Sequence, residues 1–183
     1  MGKDMIIRKC TLQEIPAAGA FYDKVVKTLE ETVNYPKWTY KVYPSEEYAR
    51  EMTEQGMQYL CLDKEQIVGA FVLNNDPQGS YEKASWSREV PEGGYLVCHA
   101  LAADPERKGS GIGKYMVEYC IRYAKEKGFP EIRLDVVPGN IPAKKLYESC
   151  GFHCVGDVDL ERNIPEIPVF SMYEREIDGM CVQ

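Results

Sequence analysis

The sequence predicts an α/β domain with helices layered on a mixed β-sheet, and three observations carry that expectation. Segments of strand composition alternate with segments of helical period along the whole chain. The clearest helical segment follows directly on a glycine-rich turn at the end of an apolar strand. The 183 residues are 44% hydrophobic and 28% charged, an ordinary globular balance. A chain of this length buries roughly 70% of its unfolded surface, so neither a disulfide nor a metal is required for folding.

Met5–Lys9 reads as a first strand. Thr11 caps a helical stretch over Leu12–Thr32, with an interruption expected around Pro16 and Gly19. Tyr35–Tyr43 reads as an aromatic loop. Ser45 opens a second helix to about Gln55, with Glu46 and Glu47 in the first turn, where the helix dipole favours negative charge. Met57–Leu62 and Gln66–Leu73 make a hairpin around Asp63-Lys64-Glu65. The polar segment 74–93 holds Pro77, Gly79, Pro91 and Gly93 and is long for a connection, which suits an acceptor lid or a dimer contact.

Gly94–Ala103 resumes an apolar strand. Over Gly111–Lys127, residues Ile112, Tyr115, Met116, Tyr119 and Tyr123 recur at helical spacing until Gly128 stops the helix. Glu131–Val137 is a strand, Ile141–Ser149 a helix, and Phe152–Leu160 and Val169–Ile177 are two last strands.

Charge and cysteine usage narrow the function. A net charge of −7 repels phosphate backbones, which disfavours nucleic acid as the main partner. The apolar runs, such as Ile67–Leu73, fall far short of the about 20 residues that span a bilayer. The first residues, Met1–Arg8, carry no apolar signal core, so a cytoplasmic chain is expected. Cys10, Cys61, Cys98, Cys120, Cys150, Cys154 and Cys181 form an odd set with no CxxC pair, read as reduced thiols. With only His99 and His153 as imidazole partners, no metal site is expected.

Asp104–Lys114 joins an apolar strand to the long helix. Gly109, Gly111 and Gly113 stand at alternate positions, where a Cβ would block some backbone conformations and close approaches. They precede the unpaired N–H groups of a helix start, which suits a pyrophosphate. Arg107, Lys108 and Lys114 add cationic side chains there. A P-loop is excluded: Lys108 stands where its glycine belongs, and Tyr115 replaces Ser or Thr. A dinucleotide fingerprint from Gly109 needs glycine at 114, which is Lys.

The segment Leu101–Gly113 resembles motif A of the GNAT N-acetyltransferase superfamily, Gln/Arg-x-x-Gly-x-Gly/Ala, with Lys108, Gly111 and Gly113 at the three specified places. Lys108 departs from the Gln/Arg of the pattern. Asn140–Phe152 resembles motif B, Asn-x-x-Ala-x-x-Leu-Tyr-x-x-x-Gly-Phe, beginning 27 residues after Gly113. The resemblance is dense over residues 94–160. It implies a single domain over residues 1–183, built on a splayed, mostly antiparallel sheet of about seven strands flanked by about four helices. It also implies acetyl-CoA as co-substrate. Backbone groups of Leu101, Ala102 and Ala103 would then pair with the pantetheine arm, and Lys108, Gly109, Ser110, Gly111, Ile112, Gly113 and Lys114 would take the pyrophosphate. Asn140 and Ala143 would lie along the thiol end, with Tyr147 at the sulfur.

The implied reaction is direct attack of an amine on the thioester. Freeing an alkylamine of pKa ~10.4 at neutral pH costs about 4–5 kcal/mol, so a base or relay is needed, and an acid must protonate the departing thiolate. Tyr147, protonated at neutral pH, is the candidate acid. His99 is the candidate base or relay, with a pKa range suited to the task. Cys98–Ala102 also resembles the His-Ala-Leu-Ala segment of arylalkylamine N-acetyltransferases. In a regular strand His99 and Leu101 share a face. Tyr35, Trp38 and Trp86, with Ile164–Pro168, are candidates for an acceptor pocket suited to an apolar primary amine. A homodimer is compatible with the pattern. Two alternatives remain open: acetylation of a protein N-terminus or lysine, and a non-catalytic acyl-CoA-binding regulatory domain.

Overall fold

A computed structural model of the chain describes residues 5–178. Cys181 and the Met1–Asp4 part of the leaderless N-terminal reading lie outside the described residues. The strands are β1 (Met5–Lys9), β2 (Gln58–Asp63), β3 (Gln66–Asn74), β4 (Leu96–Ala103), β5 (Glu131–Val136), β6 (His153–Val158) and β7 (Phe170–Glu176). They form a seven-stranded sheet in the order β1-β2-β3-β4-β5-β7-β6. The helices are α1 (Ile15–Glu31), α2 (Glu46–Glu54), α3 (Ile112–Lys127) and α4 (Ile141–Ser149). The β1–β2, β2–β3, β5–β7 and β6–β7 pairs are antiparallel, and β4–β5 is parallel, so the sheet is mixed as expected.

The chain divides into two compact units, one of residues 1–34, 38–73 and 99–119, the other of residues 35–37, 74–98 and 120–183. β4 passes from one to the other between Cys98 and His99, and α3 between Tyr119 and Cys120.

In the first unit, Thr11 starts a 3-10 turn over Leu12–Glu14 through a capping box with Glu14, and α1 follows without the break expected at Pro16 and Gly19. Pro16 sits in the first turn, where its missing N–H leaves no hydrogen bond unmade. Gly19 stays helical because α1 meets α2 there: a Cβ on it would lie 2.5 Å from the Glu46 Cβ. Ser45 caps α2 by accepting the Tyr48 N–H at 3.2 Å, as its position predicts. Val25 and Tyr22 of α1, Ala49 of α2, Leu60 and Leu62 of β2 and Ala70 of β3 bury together. Each large side chain buried there contributes roughly 1.5–3 kcal/mol. The cross-strand pair Tyr59 and Phe71 stacks at 5.3 Å, and Gly69 makes room for the Met116 thioether of α3.

In the second unit, segment 74–93 contributes Tyr81 and Val90 to the core. Tyr81 is 1% exposed and packs with Val90, Tyr95, Leu160, Phe170 and Met172. The Ser80 N–H donates to the Leu160 carbonyl at 3.2 Å, and Ser80 Oγ to Glu161 at 2.6 Å. The β4–β5 ladder consists of Leu96 against Ile132 and Val97 against Arg133. Cys10, Cys61, Cys98, Cys120 and Cys150 are buried free thiols, and Cys154 is an exposed one. Burial pushes the Cys61 thiol up to about 11, so it behaves as an apolar side chain.

Candidate functional site

The turn after β4 is braced before it reaches its glycines. The Asp104 carboxylate, 3% exposed, accepts the Glu106 N–H at 3.1 Å and pairs with Lys24 Nζ at 2.9 Å. Pro105 begins a 3-10 turn that ends at Arg107. The Arg107 guanidinium donates to Asp63 and to Gln66 Oε1 at the β2–β3 end, so the cation expected beside the phosphate braces the turn in this structure. Gly109 and Gly111 adopt φ +80° and +83°, which glycine alone takes at no steric cost.

The amides of this turn divide sharply. The Ser110 N–H donates to the Arg107 carbonyl at 3.2 Å, and the Tyr115 N–H makes the first α3 bond, to Gly111 at 2.9 Å. Among the described residues, the N–H groups of Lys108, Gly109, Gly111, Ile112, Gly113 and Lys114 have no acceptor. Of the seven residues predicted to take a pyrophosphate, Ser110 is thus the one whose amide is already engaged within the turn. Lys108 and Lys114 are exposed, the latter 4.0 Å from Glu118. Six such donors at a helix start fit an anion carrying several oxygens.

Upstream on β4, Leu101 and Ala103 are half-buried and Ala102 is buried. Ala100 stands at φ +48°, a left-handed conformation that costs an alanine roughly 1–2 kcal/mol. A regular two-residue alternation therefore does not run through Ala100, and the shared face expected of His99 and Leu101 loses its basis. His99 is 7% exposed.

The second unit holds the remaining predicted residues. Asn140 is the N-cap of α4, its Oδ1 accepting the Ala143 N–H at 3.2 Å. The spacing of those two motif residues is thus the spacing of a helix cap. Tyr147 is 8% exposed, with its ring 5.6 Å from Phe152 in an edge contact. Burial first, then the neighbouring Cys98, Cys120, Asp135 and Cys150, holds its phenol well above the ordinary tyrosine range. Its hydroxyl donates to no described residue.

The aromatic residues predicted for the acceptor differ in their surroundings. Tyr35 is exposed. Trp38 packs onto the α1–α2 core with Tyr43 at 6.2 Å. Trp86 donates its Nε1–H to the Tyr81 carbonyl at 2.7 Å, and the Arg133 guanidinium lies 4.3 Å from its ring. Trp86 also lines an open groove of about 580 Å³ with Glu82, Arg88, Val90 and Arg133.

Sequence reasoning missed the groups that hold this scaffold: Lys24 and Asp104 beside the turn, and Asp135 and Arg162 in the second unit. The Asp-Pro step at 104–105 was the readable signal for one of them. The others are isolated charges whose partners lie far along the chain, which no local pattern marks. Among the described residues, no group of three or more His, Cys, Asp or Glu is arranged to hold a metal ion.

Comparison with known proteins bears on the fold and the family. The chain is 38% identical over 65 residues to the mycothiol acetyltransferase of Acidothermus cellulolyticus, a match over 35% of this chain and 20% of that protein. It therefore spans only a fifth of that relative's length. Its fold matches a GNAT-family acetyltransferase from Streptococcus agalactiae with a TM-score of 0.76 at 16% identity, covering 96% of this chain and 97% of the other. A mosquito arylalkylamine N-acetyltransferase like 5b matches with a TM-score of 0.66 at 17% identity, covering 94% and 99%. The model of the acetyltransferase (GNAT) family matches residues 25–152, a span that takes in both the glycine turn and the Asn140–Phe152 motif, and the chain belongs to that family.

Proposed function

We propose that the chain, acting as one domain over residues 1–183, is an N-acetyltransferase that moves an acetyl group from acetyl-CoA to a primary amine. The observation that carries this reading is the set of six unengaged amides between Lys108 and Lys114 at the start of α3. Acetyl-CoA supplies the activated thioester. The chain's part is to hold its pyrophosphate on those N–H groups, with Lys108 and Lys114 adding charge, and to line the pantetheine arm with Leu101–Ala103. Asn140 then acts by starting α4 at the right place, which sets where Tyr147 projects.

Tyr147 is the proposed acid. A phenol kept neutral by burial has its proton available when sulfur departs, and this one gives it to no described residue. His99 is the proposed base or relay for the ammonium proton. The acceptor is proposed to be a small molecule, supported by relatives named mycothiol acetyltransferases and by the apolar character of Trp86 and Tyr35. Cytoplasmic location goes with a small-molecule role, and no helix of the described residues is long and apolar enough to cross a membrane.

A thiol-release screen with acetyl-CoA against monoamines, polyamines, aminoglycosides and peptides tests the reading. Amine-stimulated release from a small acceptor is the expected result. CoA binding with no stimulation by any amine would leave a non-catalytic acyl-CoA-binding domain in its place.

A further inference from the structure

A buried polar chain in the first unit ends on the strained residue of β4. Tyr22 of α1 and Gln58 of β2 are both 0% exposed. Gln58 Nε2 contacts three oxygens, the Tyr22 hydroxyl at 3.2 Å and the Tyr59 and Phe71 carbonyls at 3.1 Å each. The Tyr22 hydroxyl in turn donates to the Ala100 carbonyl at 3.2 Å. Turning the Gln58 amide over would set its oxygen against two carbonyl oxygens, so its orientation is determined by chemistry. That orientation leaves Gln58 Oε1 buried with no partner among the described residues, a cost the fold sustains.

A buried hydrogen-bond chain with one orphaned acceptor is a poor way to gain stability, and an apolar pair of the same volume would pack there at lower cost. What the chain does accomplish is geometric. It ties α1, β2 and β3 to the one carbonyl of β4 whose residue sits at φ +48°. A left-handed alanine inside a strand persists only where its surroundings over-determine it. Relaxing it would turn the following peptide units, which are those of Leu101–Ala103.

We infer that Tyr22, oriented by Gln58, is a positioning residue that locks the left-handed Ala100 so that the Leu101–Ala103 backbone faces the pantetheine arm of acetyl-CoA. This rests on the acetyl-CoA reading above. Tyr22 is proposed to act through its hydrogen bond to the Ala100 carbonyl.

The experiment compares Tyr22→Phe, Ala100→Gly and the double variant Tyr22→Phe/Ala100→Gly. It uses CoA dissociation constants, thermal midpoints, and amide hydrogen exchange at Leu101 and Ala102 in the unliganded protein. Tyr22→Phe should fold, exchange faster at those two amides and weaken CoA binding by about tenfold. Ala100→Gly should bind CoA within about twofold of the wild type. Glycine takes this φ without strain, so the double variant should regain most of the lost affinity. Unchanged CoA affinity and exchange in Tyr22→Phe would overturn the inference. So would a loss of affinity that glycine fails to rescue, since that marks a general packing defect. A wild-type protein that binds no CoA would remove the acetyl-CoA reading and the positioning role together, whereas normal wild-type binding with an indifferent Tyr22→Phe removes the lock alone.

Discussion

The Arg162 guanidinium grips the Asp135 carboxylate with both arms, Nη1 on Oδ1 at 2.7 Å and Nη2 on Oδ2 at 2.8 Å. The same guanidinium donates to the Gln78 carbonyl at 2.7 Å and the Pro77 carbonyl at 3.2 Å, and the Tyr81 hydroxyl donates to Asp135 at 2.6 Å. One side chain thus binds β5, the β6–β7 connection and segment 74–93 together.

Arg162→Met should free residues 77–81 and leave the half-buried Asp135 carboxylate without its counter-ion. A loss of about 2 kcal/mol in unfolding free energy is expected, together with faster amide exchange across 77–84. Lysine offers a single ammonium in place of the fork, so Arg162→Lys should recover less than half of that loss. Chemical denaturation and exchange mass spectrometry check both. A strap that exchanges no faster without the guanidinium would show that Tyr81 packing alone holds it.

Tyr147→Phe keeps the ring contact with Phe152 and removes only the acid. Turnover should fall by about 10²-fold with CoA affinity within a few-fold. Because burial holds this phenol above its ordinary range, the wild-type rate should show no alkaline fall from Tyr147 up to about pH 10. The sign for stability follows from the same shift: a folded pKa above the unfolded one leaves stability untouched below about pH 10 and lowers it as the pH rises further. Wild type and Tyr147→Phe should therefore part in alkaline unfolding titrations only above that point.

Gly111→Val forces a β-branched residue into φ +83° at the amide-rich turn. CoA affinity should drop at least tenfold. Gly128→Val is the control: it imposes the same backbone strain, at φ +78°, beyond the other end of α3 with no atom within 4 Å of the added Cβ. It should cost about 1–2 kcal/mol of stability and leave CoA affinity unchanged. Equal loss of affinity in the two variants would place the cradle elsewhere.

Glu14 ties the first strand to the first helix. Hydrogen bonds from the Arg8 guanidinium, aided by the Thr11 amide and hydroxyl, draw its carboxyl down to about 2. A folded pKa below the unfolded value stabilises above about pH 4.5, and the contribution is lost as the pH falls through about 2. The pair is partly exposed, so Glu14→Gln should cost about 0.5–1 kcal/mol at pH 7 and nothing near pH 2. A pH-independent difference between the two proteins would assign the effect to the helix cap instead of the charge.

Local chemistry made much of this protein legible before any coordinates. Strand alternation, the periodic face of α3, the Ser45 cap and the glycines at 109 and 111 are decided by residues within one or two turns of each other. The two family motifs are legible for the same reason, as their residues sit at fixed local spacings. The misreadings have a common origin. Gly19 looks like a helix breaker until α2 is packed against α1, and Arg107 looks like an unpaired cation until Asp63 and Gln66 arrive from β2 and β3.

The sequence alone determined the layered α/β architecture, the order of its elements and the anion-ready turn, because each follows from backbone sterics and short-range periodicity. Tertiary structure decided that Ala100 is left-handed and that the 74–93 segment is strapped down by Arg162. Those outcomes depend on partners up to 85 positions apart, which only the folded chain brings within hydrogen-bonding distance.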